Sequence, residues 1–127
     1  MAPSCKQTVA EYFAAIRAMD VERWVNIFDA NAVSHDPVGT PPLRGHEALR
    51  QFLTHIKSAF ETIDLTEDNV FINGNSAAVK LTGRGIGRNG KPVIFEGIDI
   101  IECNDEGKIV SVHAYWDPAP VMAIIQS

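Results

Sequence analysis

Two hydrophobic rhythms divide the chain. As far as Phe60, apolar residues recur at steps of three and four, whereas from Ile63 onward they alternate with polar ones. Val9, Tyr12, Phe13, Ile16 and Met19 share one face of a helix predicted over 8–18. Asp20 reads as the N-cap of a short second helix with Val21, Trp24, Val25 and Phe28 inward, ended by the polar run Asp29-Ala30-Asn31. Residues 32–35 predict a short strand. The following Asp36-Pro37-Val38-Gly39-Thr40-Pro41-Pro42-Leu43-Arg44-Gly45 excludes helix interior and central strand and reads as a shaped loop. Leu49, Phe52, Leu53, Ile56 and Phe60 then mark a third helix over 46–60.

The alternating half is cut by Asn73-Gly74-Asn75, Asn89-Gly90-Lys91 and Asn104-Asp105-Glu106-Gly107, all turn-forming. Four strands are predicted, over 63–72, 77–87, 92–103 and 108–116. Helices first and strands last predict an α+β fold, with three N-terminal helices packed on one face of a strongly curved antiparallel sheet. At 127 residues the chain is expected to form a single domain spanning 1–127.

Composition narrows the partners. With 11 basic and 16 acidic side chains the net charge is −5, and there is no Lys/Arg run, which argues against nucleic acid or an anionic membrane surface and for a small ligand. Residues 1–6 lack the apolar core of a leader, and no apolar run reaches the roughly 18 residues of a membrane span. Cys5 and Cys103 suggest neither a disulfide framework nor a CxxC pair, so reduced thiols and a cytoplasmic location are expected. His35, His46, His55 and His113 show no metal-ligand spacing, and no phosphate-binding glycine loop opens a helix, so neither metal nor cofactor is expected.

Three residues stand out chemically. Asp99 lies within an apolar strand, on the side shared with Phe95 and Ile101. If that side is buried, the neutral acid is favoured and its O–H becomes a donor; otherwise the face is wet, or Asp99 pairs with a hydroxyl across the sheet. Glu96 and Glu102 alternate to the opposite face. Asp36, between a short strand and a rigid loop, suits a general base at a pocket mouth, or else is a turn residue accepting local backbone hydrogen bonds. Tyr12 faces inward from the first helix, either as plain core or with a hydroxyl that needs a partner.

Taken together these residues resemble the bacterial ketosteroid isomerase family over nearly the whole chain. The family loop Asp-Pro-x-Gly-x-Pro-Pro-x-x-Gly matches Asp36 through Gly45, and the late pattern matches Asp99, the acidic turn ending at Gly107, and Ala114-Tyr115-Trp116. The resemblance implies that Asp36 is the base and that Tyr12 and a protonated Asp99 form an oxyanion hole. Trp116 would line the substrate pocket, together with Phe28, Phe52, Leu53 and Phe95. It also implies a cofactor-free shift of a double bond in a small apolar carbonyl compound, and a homodimer paired sheet to sheet, since His113 and Tyr115 alternate away from the Trp116 face. Phe28 and Leu53 stand where some members carry tyrosines bonded to the oxyanion tyrosine. The wider superfamily of cone-shaped folds similar to nuclear transport factor 2 includes SnoaL-type polyketide cyclases, dehydratases, epoxide hydrolases and non-catalytic binding modules, so fold alone does not choose among them.

Overall fold

The computed structural model describes residues 2–127; Met1, part of the N-terminal segment read above, lies outside them. Helix α1 (Cys5–Arg17) starts earlier than periodicity predicts because Ser4 and Gln7 form a reciprocal capping box. Its inner stripe of Val9, Tyr12, Phe13 and Ile16 is buried, worth roughly 1.5–3 kcal/mol for each large side chain. Asp20 caps α2 (Val21–Val25) through the Arg23 amide, as expected. The helix is shorter than its apolar spacing suggests. Phe28 does not belong to it but opens strand β1 (Phe28–His35), where it pairs with Ile109.

Strand β1 therefore absorbs the polar Asp29-Ala30-Asn31 segment expected to be a terminator. The register between Phe28 and Val33 shifts, leaving Ala30 and Asn31 exposed on a bulge. The shaped loop contains a two-residue strand, β2 (Leu43–Arg44), which returns to pair with Ser34 and Val33. Helix α3 (Gly45–Ala59) follows, and Phe60 begins β3 (Phe60–Asn73) rather than ending the helix. Strands β4 (Ser76–Gly87), β5 (Pro92–Cys103) and β6 (Ile109–Tyr115) lie close to their predicted bounds.

The six strands run in the order β2-β1-β6-β5-β4-β3. Pairing is antiparallel throughout except for β1 on β6, which is parallel, so the sheet is mixed and not the purely antiparallel one expected. The local turn signals set the meander β3 to β6, but they carry no information about which edge receives the first strand. A fourth helix, α4 (Pro118–Ile125), was also not anticipated. Asp117 caps it and Pro118 occupies the first turn, where no amide donor is needed.

Register shifts in β3 and β5 bend the sheet around the helices. Its inner face is thinned at one end by Gly83, Gly85 and Gly97. A methyl at Gly83 would overlap the Phe95 ring, and one at Gly97 would lie 2.7 Å from the Tyr115 carbonyl oxygen. Large side chains fill the space these glycines leave, and the core lies between this concave face and α1–α3.

Candidate active site

A cavity opens between the helices and the concave sheet, enclosing about 760 Å³ of space not filled by atoms, its mouth included. Its walls are apolar. Ile16 comes from α1, Phe52, Leu53 and Ile56 from α3, Ile63 and Leu65 from β3, Leu81 from β4 and Phe95 from β5, while Val121 and Met122 of α4 close the open end. Into this surface project Tyr12, Asp36 and Asp99, with Trp116 beside them.

Each is placed by its element. Tyr12 follows from the helical stripe of α1, and the pleat of β5 turns Asp99 inward with Phe95 and Ile101 while Glu96 and Glu102 face out. Asp36 is the first residue after β1. There its Oδ1 accepts a 2.7 Å hydrogen bond from Trp116 Nε1, just beyond the end of β6.

Tyr12 and Asp99 are 2% and 5% exposed, so neither is a solvated surface group. The Asp99 carboxyl has no hydrogen bond to another side chain or to the backbone among the described residues. Burial drives its carboxyl well above the ordinary range, and the nearby Asp36 charge adds to the effect, so the neutral form is favoured. Tyr12 is pushed above its ordinary value by burial, then by Asp99 and Asp36. Asp36 is raised less, because the Trp116 N–H stabilises its charged form against the cost of burial. Two carboxyl groups in one apolar cavity thus have different electrostatics: one is held by a donor and the other is not.

Of the predicted pocket residues, Phe52, Leu53, Phe95 and Trp116 line the cavity, with Phe95 and Trp116 in ring contact at 5.2 Å. Phe28 does not. It lies behind the site, packed edge to face against Trp24 at 4.8 Å and Tyr12 at 6.0 Å, where it supports the tyrosine ring. Sequence reading placed Trp24 on the inner face of α2 but not in the cavity wall, where the structure has it. Its buried Nε1 lacks an acceptor among the described residues. Among those residues, no group of three His, Cys, Asp or Glu side chains could hold a metal ion, and no helix is long and apolar enough to cross a membrane.

The model of the SnoaL-like domain family matches residues 9–112. The chain belongs to the SnoaL-like family. Within and around this SnoaL-like group, it is 22% identical over 122 residues to the steroid Delta-isomerase of Nocardioides simplex, covering 96% of this chain and 97% of the relative. It is 26% identical over 123 residues to YesE of Bacillus subtilis (strain 168), a protein of uncharacterised function, covering 91% and 82%. Among solved structures it is similar to SalBIII, an epoxide hydrolase/cyclase-like enzyme in pyran ring formation of the polyether salinomycin, with a TM-score of 0.81, 27% identity and coverage of 91% and 92%. A nuclear transport factor 2-like protein of unknown function from Burkholderia pseudomallei K96243 shares the fold with a TM-score of 0.86 at 18% identity, covering 97% and 98%. The SnoaL-like domain here thus has the nuclear transport factor 2-like α+β fold, with six strands in a curved mixed sheet and four helices.

Proposed function

We propose that this SnoaL-like protein is a cofactor-independent isomerase that moves a double bond in a 3-oxo-Δ5-steroid or a similar β,γ-unsaturated ketone. The observation that carries this reading is the convergence of Tyr12, Asp36 and Asp99 on one apolar cavity, with Asp36 alone held by a hydrogen-bond donor. Asp36 removes a proton α to the carbonyl. The negative charge moves onto the carbonyl oxygen, where the Tyr12 hydroxyl and the protonated Asp99 donate hydrogen bonds to it. Asp36 then returns the proton two carbons along, giving the conjugated enone. Trp116 keeps Asp36 ionised and aimed between proton transfers, and the apolar wall excludes water that would weaken both donors. The resemblance to a steroid Delta-isomerase over nearly the full chain supports the same reading.

A second reading, a cyclase or dehydratase that uses Asp36 as base on a polyketide or other small carbonyl compound, is favoured by the likeness to SalBIII. One assay separates them. Mixing the protein with a Δ5-3-ketosteroid and following the ultraviolet absorbance of the conjugated product should give a rate above background. No rate, together with no binding of a phenolic dienolate mimic such as equilenin, overturns the isomerase reading. Binding of the mimic without turnover points to the second.

A further inference from the structure

The chain has two cysteines, 98 positions apart, and the fold brings them together. Cys5 opens α1 and Cys103 closes β5, both buried in the main core. The start of the helix is docked on the turn after β5 at two further points. The Thr8 hydroxyl donates a buried 2.7 Å hydrogen bond to the Gly107 carbonyl oxygen, and Pro3 packs so closely on Gly107 that a methyl there would lie 2.5 Å from the Pro3 carbonyl oxygen. Cys5 lies between these two anchors. Cys5, Val9 and Tyr12 share one face of α1, as Cys103, Ile101 and Asp99 share the inner face of β5. Tyr12 and Asp99 face one cavity. From that level, about 10 Å back along the helix and about 13 Å along the strand lead to the two thiols. Both thiols are buried there, and burial, with Cys5 beside it, pushes the Cys103 thiol up to about 12.

We propose that Cys5 and Cys103 are a redox-modifiable pair, which a low-molecular-weight disulfide converts to a bridge tying the start of α1 to the end of β5. The Cys5 thiolate attacks one sulfur of oxidised glutathione, and the departing glutathione thiolate takes up a proton. Cys103 then loses its proton and attacks the Cys5 sulfur of the mixed disulfide, releasing the second glutathione. Two protein thiols are oxidised by two electrons and one glutathione disulfide is reduced to two thiols. Burial keeps the Cys103 thiol protonated at neutral pH, and both sulfurs are enclosed by the core, so the reaction waits on opening of the first turn of α1. Neither thiol lines the cavity, so the bridge is independent of the reaction assigned there.

The test incubates the whole protein with oxidised glutathione at mildly alkaline pH, then traps free thiols under denaturing conditions and measures intact mass, cross-linked peptides and thermal unfolding. The expected product has lost two hydrogen atoms and holds no trappable thiol. It yields one cross-linked peptide containing Cys5 and Cys103, and melts higher by on the order of 10 °C, because the bridge closes a long loop in the unfolded chain. Dithiothreitol should reverse both changes, and Cys5→Ser and Cys103→Ser should show neither. A wild-type protein that keeps both thiols trappable, or stops at glutathione adducts, overturns the pairing.

Discussion

Asp99 and Asp36 carry the same functional group in one cavity, and their surroundings divide the labour. Asp36→Asn keeps the hydrogen bond from Trp116 within reach while removing the proposed base. Turnover of a Δ5-3-ketosteroid should fall by about 10²- to 10⁴-fold with equilenin binding retained, as read by steady-state kinetics and fluorescence titration. Asp99→Leu removes one of the two proposed donors and should lower turnover by on the order of 10²- to 10³-fold. The same substitution has a stability signature. Because the folded state raises the Asp99 affinity for its proton, the wild type has the full benefit of that group below about pH 4 and loses it as pH rises towards the folded value. Leucine does not titrate. Urea midpoints measured at pH 5 and pH 8 should therefore shift in favour of the variant at the higher pH. Helical spacing put Tyr12 on the inner face of α1 and alternation put Asp99 on the face of Phe95 and Ile101, because those periods are local properties of helix and strand; that this face of β5 is the buried one came from the fold. The Trp116 hydrogen bond and the Cys5–Cys103 contact were not legible, since each joins residues 80 or more apart through a pairing the sequence does not spell out.

At the level of elements, boundaries moved where caps and strand pairing outweighed hydrophobic spacing. Phe28 and Phe60 both fit a helical stripe and both open strands, because each finds a ladder partner, Ile109 and Gly87 respectively. Helix α4 lies beyond the last predicted strand and was not foreseen, nor were Val121 and Met122 of the cavity wall. The meander was readable because Asn-Gly turns interrupt clean alternation. Its glycines were less so: the Gly83-Arg84-Gly85-Ile86-Gly87 run is a strand stripped of inner side chains to admit Phe95 and Phe60. Gly97 does the same for the β5–β6 pair, where the Tyr115 carbonyl and Trp116 Cβ press against it. Gly97→Ala forces those two backbones apart. It should cost about 1–3 kcal/mol in chemical denaturation and displace the indole from Asp36, lowering kcat more than melting behaviour alone would explain.

Across the whole molecule, the convex face of the sheet carries the side chains that the core does not take. One row crosses five strands, from Phe71 through Ala78, Ile100 and His113 to His35, and the last two rings stack at 4.6 Å. The next row places Ile98 beside Tyr115, both about half exposed, with Lys80 and Glu96 alongside. We propose that a second copy of the chain covers this apolar band with its charged border, pairing sheet to sheet. Sedimentation should show a dimer, and Ile98→Lys should shift it to monomer while leaving the far-ultraviolet circular dichroism unchanged. A wild type that sediments as monomer at micromolar concentration would remove the proposal.

The lone parallel pairing gives the site a direction in time. Strands that run the same way finish side by side, so β1 and β6 deliver Asp36 and Trp116 to one rim of the sheet, whereas a hairpin partner would have brought its own beginning there. No turn can join two such strands. The aspartate must therefore wait, through α3 and the entire meander, for an indole 80 positions further along the chain. A stretch of chain that stops short of Trp116 lacks the donor that anchors the Asp36 carboxylate. Anchoring of Asp36 thus requires both strands to be in place side by side.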